Sequence, residues 1–512
     1  MPKQNKDKLI LLINSLSKAE KRSFRLYVNR NSGAAESKFV KLFNHLDKAG
    51  HFEESKVLMQ ITDIKKSQLS NIKANLYKQI LTCLRLIERA KIGEIQVREQ
   101  IDFAKILYEK GLYQSCLELL DKAKKQALEI NFETLALSIL YFEKRIESQH
   151  VTGSMAEKAD ALTNQSDNLL QEISITNQLS NLSLLLFGRY LRYGYVKNEQ
   201  DFNDLKTFFQ RNLPSDVDPQ TLSFFQKLYL YQSYVWYSNM SQDFAACFKY
   251  AQKWVDLFDE EELQKTNAAT IYIKGLHNLL NALFMSGKRE RYNGAYEKYK
   301  AFQIDKVPYV TRNEISNYKL FLYTHQLNQM LINGSYGELE VQKEIEKLIL
   351  DNPYNWDTNR LLALRYKLGC VYFGNNDLGN CILTLNKISN KSFRDFREDI
   401  QCFARILNLI AHYDSGNEEL VNYKLKSLYR FLSKMKDLEK MQLEIIKFLR
   451  RTTHMEASKM ENEFKKLRDV LLKIADQPYE KRPFLYLDII SWLEGKMTDK
   501  KIGEVIKAKI YG

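Results

Sequence analysis

Apolar residues recur at three- and four-residue spacing along most of this chain, and short polar breaks interrupt the runs. Gly369, Tyr372, Leu378, Cys381, Leu385 and Ile388 form one such ladder, broken at Asn375-Asn376-Asp377. Ala104, Leu107, Tyr113, Cys116, Leu120 and Ala123 repeat it, broken at Gly111. Val235, Ser238, Phe244, Cys247, Ala251 and Trp254 repeat it more loosely around Ser241-Gln242-Asp243. The period is that of an α-helix, so each ladder predicts a helix, a tight turn and a second helix. Small residues stand where the two helices would cross. A hairpin of this kind cannot bury its apolar face alone and needs neighbours stacked on it.

The same reading places helices at both ends. Ser17 and Glu20 have the spacing of a capping box, in which each side chain satisfies the other residue's amide. Phe39, Leu42, Phe43 and Leu46 mark one face of a helix over 38–48, closed at Gly50, and a long helix is predicted over 69–89. Near the other end, Met460, Phe464, Leu467, Leu471 and Ile474 form an apolar seam, too short for a coiled coil and suited to a capping helix. Residues 484–493 read as one more apolar helix. Tyr292, Tyr296 and Tyr299 step by four and three, as core positions do, and the aromatic run from Phe224 to Tyr237 also predicts a buried helix.

Composition sharpens this picture. The 512 residues include only 7 prolines and 19 glycines, against about 26 and about 36 at average usage. No proline falls between residues 3 and 213. Proline removes an amide donor and clashes with the preceding turn, so its scarcity favours uninterrupted helices. Turn residues include Gly111, Asn131, the 212–219 segment, Gly287, Asn333-Gly334 and Ser415-Gly416-Asn417. The expected class is all-α, with an N-terminal helical cap over 1–90, a helical repeat region over 91–430 and a C-terminal helical cap over 431–512.

The ladders resemble the tetratricopeptide family over about 25 residues each. The family's Trp near the start and Pro at the end of each repeat are missing, and Leu128, Asp259 and Phe393 stand at the corresponding ends. The opening and closing segments resemble large, uncharacterised bacterial repeat proteins, which implies no activity. The family resemblance implies a right-handed solenoid in which the first helix of each hairpin lines a concave face. Carried over by register, that face would present Arg98, Lys105 and Tyr108, then Tyr229, Gln232, Trp236 and Asn239, then Tyr366 and Phe373. Tyr, Trp and Arg dominate interface energetics.

Charge and candidate chemistry add little to that expectation. The net charge of +14 lies at the ends: residues 1–30 hold eight basic against two acidic side chains, and residues 420–512 hold 21 against 13. Lys18, Lys21, Arg22 and Arg25, and later Arg450, Arg451, Lys465, Lys466 and Arg468, could meet phosphates. Interspersed acids make them better suited to solvated caps. Cys83, Cys116, Cys247, Cys370, Cys381 and Cys402 form no CxxC, and Cys116, Cys247 and Cys381 occupy the small crossing position. Seven scattered histidines offer no i, i+4 pair, and neither a phosphate-binding glycine loop nor a GxSxG elbow occurs. No apolar run approaches the ~20 residues of a membrane span. The expectation is a cytoplasmic, non-enzymatic scaffold without cofactor or metal, holding a peptide or partner helix. The alternative is a nucleic-acid-associated regulator with weak, non-specific binding through the basic ends.

Overall fold

A computed structural model describes residues 7–31, 38–88, 93–149, 155–214, 218–307, 310–389, 398–432, 439–453 and 455–511. Among these the chain is all-α: 26 α-helices, one 3-10 turn and no strand. Two compact units are present, residues 1–173 and 174–512.

The first unit opens with α1 (Lys8–Ser15), α2 (Lys18–Asn31), α3 (Lys38–Ala49), α4 (Glu54–Gln60) and α5 (Lys66–Glu88). The Ser17–Glu20 capping box is formed: the Ser17 amide donates to Glu20 Oε2 at 2.6 Å, and the Glu20 amide donates to Ser17 Oγ at 3.2 Å. Helices α1, α2, α3 and α5 close on a core that includes Ile13, Phe24, Phe43, Leu76 and Ile80. Then come α6 (Gly93–Glu109), α7 (Tyr113–Glu129), α8 (Glu133–Gln149) and the start of α9 (Met155–Tyr193). Helix α6 packs on α7, and α7 on α8. Ala104, Cys116, Leu120 and Ala123 are all fully buried between them, as the ladder predicts. Gly111 turns the chain at φ +75° and Asn131 at +58°, a region that favours residues without a bulky Cβ.

The second unit takes the end of α9, then α10 (Glu199–Asn212), α11 (Phe224–Ser241), α12 (Phe244–Glu260), α13 (Glu262–Asn267), α14 (Ala269–Met285), α15 (Arg289–Ala301), α16 (Arg312–Asn333), α17 (Leu339–Asp351), α18 (Thr358–Gly374), α19 (Leu378–Ser389), α20 (Glu398–Asp414) and α21 (Glu418–Leu432). Beyond the pair contacts α11·α12, α14·α15, α17·α18, α18·α19 and α20·α21, a second set links α14 to α16, α16 to α18 and α18 to α20. Alternate helices therefore form a continuous packed row. Gly369 permits a close crossing of α18 and α19: a Cβ there would sit 2.7 Å from the Leu385 side chain. Cys381, Leu385 and Ile388 are fully buried beside it. Tyr292, Tyr296 and Tyr299 are core residues.

The chain ends in α22 (Lys440–Thr452), α23 (Ala457–Ala475), α24 (Arg482–Tyr486), α25 (Ile489–Thr498) and α26 (Ile502–Tyr511). The seam residues Phe464, Leu467, Leu471 and Ile474 are buried where α23 meets α22 and α25. The single helix expected over 484–493 is two. Leu487 is extended, and the Asp488 side chain accepts the Ser491 amide at 3.0 Å, which starts α25 afresh. An Asx cap overrides an apolar run that has no other break.

Candidate functional site

The helix row of the second unit leaves a cavity of about 330 Å³ along its side. Four helices build it from the residues that face one another. Trp236 and Asn239 come from α11, His277, Asn278 and Asn281 from α14, Thr324 and Asn328 from α16, and Tyr366 and Lys367 from α18. Tyr190 and Arg482 close one end. The walls are aromatic. Trp236 lies 4.9 Å from Phe187 and 5.4 Å from Tyr190, ring centre to ring centre. The floor is amide and imidazole.

That floor is held by a chain of hydrogen bonds whose direction is fixed. The Tyr292 hydroxyl donates its one proton to the His325 carbonyl at 3.0 Å. Its oxygen also lies 3.1 Å from His325 Nδ1, so that nitrogen carries a proton and donates. His325 Nε2 then accepts from His277 Nδ1 at 2.8 Å. His277 Nε2 accepts in turn from Asn281 Nδ2 at 3.0 Å. Each imidazole is a donor on one side and an acceptor on the other, which is the neutral form. Burial pushes the His277 imidazole down to about 3, with the neighbouring Lys367 and Lys274 ammonium groups adding to the effect. Burial, helped by His277 and Lys367, pushes His325 well below its ordinary range. The floor therefore stays uncharged at neutral pH.

Two cations are anchored by asparagines at its sides. Lys367 Nζ donates to Asn328 Oδ1 at 2.6 Å. Asn328 is fully buried, and its Nδ2 faces the Tyr292 oxygen without reaching hydrogen-bond geometry. Arg482 Nη1 donates to Asn239 Oδ1 at 2.7 Å and to the Asn239 carbonyl at 3.0 Å. Among the described lining residues none is acidic.

The nine residues expected on a concave face divide between the units. Trp236, Asn239 and Tyr366 line this one cavity. Phe373 lines an adjoining cavity of about 250 Å³ that shares Phe284, Leu331 and Cys370 with it. Tyr366 and Phe373 are also buried, so both are core as much as surface. Gln232 turns away and accepts from Ser183 Oγ at 3.2 Å, and Tyr229 packs against the Leu179–Leu222–Leu230 cluster. Arg98, Lys105 and Tyr108 belong to the first unit. Arg98 is paired with Glu94 at 2.7 Å, Lys105 is exposed, and the Tyr108 hydroxyl donates to Gln149 at 2.5 Å beneath the Arg145 guanidinium. The sequence reading missed His277, Asn281, Asn328 and Lys367. A spacing signal existed, since 277, 278 and 281 share a helix face, but nothing in the sequence tells that this face opens on a cavity.

Several cations of the basic ends are matched by acids. Lys21 and Arg25 both reach Asp47 at 2.7 Å, and Arg451 and Lys466 both reach Glu463. Among the described residues no cluster of His, Cys, Asp and Glu could hold a metal, and no helix is long and apolar enough to cross a membrane. All six cysteines are free thiols; five are buried and Cys370 is partly so. Compared with known proteins, the chain matches no family model, no curated protein and no solved structure.

Proposed function

We propose that this protein is a non-enzymatic interaction scaffold, a tetratricopeptide-like solenoid of stacked hairpins whose groove in the second unit holds a peptide or partner helix. The observation that carries this reading is the cavity beside the α14, α16 and α18 row. Its aromatic walls and neutral, hydrogen-bonded floor suit binding, because convergent polar groups on an apolar wall fix a ligand's orientation. The groove is held in place before any ligand arrives, so little is lost in ordering it. The groove's inner polar groups are engaged within the protein: the two histidines bond to each other, and Tyr292 donates to a backbone carbonyl.

The test is affinity capture from native lysate with wild-type protein and with Trp236→Ala. Trp236 is partly exposed on the groove wall. Its truncation should weaken capture by about 2 kcal/mol, as an aromatic hot spot does, while the melting temperature stays within a degree or two of wild type. Undiminished capture by Trp236→Ala would remove the groove from the reading. The nucleic-acid alternative gains no support from the paired ends: Lys21, Arg25, Arg451 and Lys466 already face carboxylates.

A further inference from the structure

Four asparagines line the groove, and each has one of its two amide functions committed inside the protein. Asn281 Nδ2 donates to His277, and Asn278 Nδ2 donates to the Lys274 carbonyl at 2.9 Å. Both therefore keep the amide oxygen for a ligand. Asn239 Oδ1 accepts from Arg482, and Asn328 Oδ1 accepts from Lys367. Asn239 therefore keeps its amide nitrogen, while that of Asn328 is turned inward to the Tyr292 oxygen. The flip state of each is dictated by its internal partner, so the groove offers two acceptors from α14 and one donor from α11.

From this pattern we infer that the groove binds an extended polypeptide by its main chain, pairing peptide N–H groups with Asn278 and Asn281 and a peptide C=O group with Asn239. This inference rests on the groove being the binding site and names what it reads. An extended peptide exposes alternating N–H and C=O groups along its length. A floor of mixed donors and acceptors matches that alternation, whereas a cationic floor would select carboxylates or phosphates. The neutral histidine relay fits the same ligand, since a neutral amide gains nothing from a charged floor and a charged floor would be costly to desolvate. Side chains of the peptide would meet Trp236, Tyr190 and Phe284, which asks for an apolar residue and little more.

The probe is a pool of hexapeptides with randomised centres, acetylated and amidated at their ends, observed by saturation-transfer NMR on the full chain. A second pool carries methyl groups on alternate peptide nitrogens. Wild-type protein should bind the first pool, and the methylated pool should bind at least tenfold more weakly. Asn278→Ala should reduce affinity by roughly threefold to tenfold, the yield of one neutral hydrogen bond, and Asn281→Ala similarly. Asn278 makes its internal bond only to its own helix, so its replacement leaves the fold intact, and the methylated pool leaves the protein untouched. Equal binding of the two pools, with loss on Trp236→Ala, would overturn main-chain reading and leave the groove standing. Binding that survives Trp236→Ala would place the peptides elsewhere and overturn both. Failure of wild-type protein to bind either pool would overturn the inference alone, since capture of a native partner tests the groove separately.

Discussion

The α6/α7 hairpin of the first unit and the α18/α19 hairpin of the second carry nearly the same ladder, yet they sit in different surroundings. Both bury a cysteine and a leucine at the helix crossing: Cys116 and Leu120 in one, Cys381 and Leu385 in the other. The outer face of α6 shows Phe103 and Ile106 to solvent at 46% and 58% exposure. Helix α18 has no such face. Leu362, Leu364, Tyr366, Leu368, Val371 and Phe373 are all buried, because α16, α19 and α20 pack around it. Local pattern makes the hairpin, and the neighbours decide how much of it becomes interior. Polar chemistry follows the same division. The first hairpin uses its polar groups at the surface, as in the Glu94–Arg98 pair, while the second lies beside buried histidine and asparagine.

Substitution at the shared position should break both hairpins alike. Cys116→Arg and Cys381→Arg each bury an unpaired charge, and each should cost on the order of 3 to 5 kcal/mol, read from urea denaturation of the full chain. Cys→Ala at either place should cost far less, and thiol labelling of native protein should be slow at both. Fast labelling of Cys116 alone would show that the first hairpin opens in a way the second does not. Next in size is an aromatic contrast. Tyr366→Ala, in the interior-facing hairpin, should cost about 3 kcal/mol, as truncation of a buried ring does. Tyr108→Ala, half-buried in the other, should cost about 1 kcal/mol. Equal costs would erase the distinction.

A third effect belongs to the second unit. His412 on α20 is buried, neither ring nitrogen has a hydrogen-bond partner among the described residues, and burial together with Lys424 pushes it down to about 4. The unfolded chain takes up a proton below about pH 6.5, while the folded chain resists until about pH 4. The folded form thus gives up stability as pH falls through that window, by on the order of 2 to 3 kcal/mol for this group. The urea midpoint should be flat above pH 6.5 and decline below it, and His412→Leu should shrink the decline. The smallest effect is Arg98→Ala. Its ion pair with Glu94 is exposed, and the change should move stability by less than about 0.5 kcal/mol.

Much of this architecture was legible because turn residues announce themselves. Gly111, Asn131, Gln242, Gly287, Gly334, Asn376 and Gly416, within or beside the predicted breaks, all sit at positive φ between 58° and 75°. Between 155 and 187 no glycine or proline occurs, and α9 runs through all of it as one helix of 39 residues. The groove was only half legible. Trp236, Asn239 and Tyr366 follow from register on the first helices of hairpins, but Arg482 reaches the cavity from a segment 243 residues beyond Asn239. Local periodicity carries no information about such a meeting. His277 and His325 were equally hidden: 48 positions apart, they match no metal or catalytic spacing, and only folding makes them neighbours.

The bonded chain from Asn281 to Tyr292 also has a sense, like a row of arrows, and every arrow points inward. Reversal of any one link would require reversal of all those on its groove side. The arrow nearest the core is set by a single phenol proton, which the His325 carbonyl receives. A phenylalanine at position 292 would leave the row without its anchor, free to run in either sense. In the opposite sense Asn281 would turn its nitrogen to the groove in place of its oxygen. What a ligand meets at the surface is thus decided by one proton three side chains deeper, in a residue that the ligand never touches.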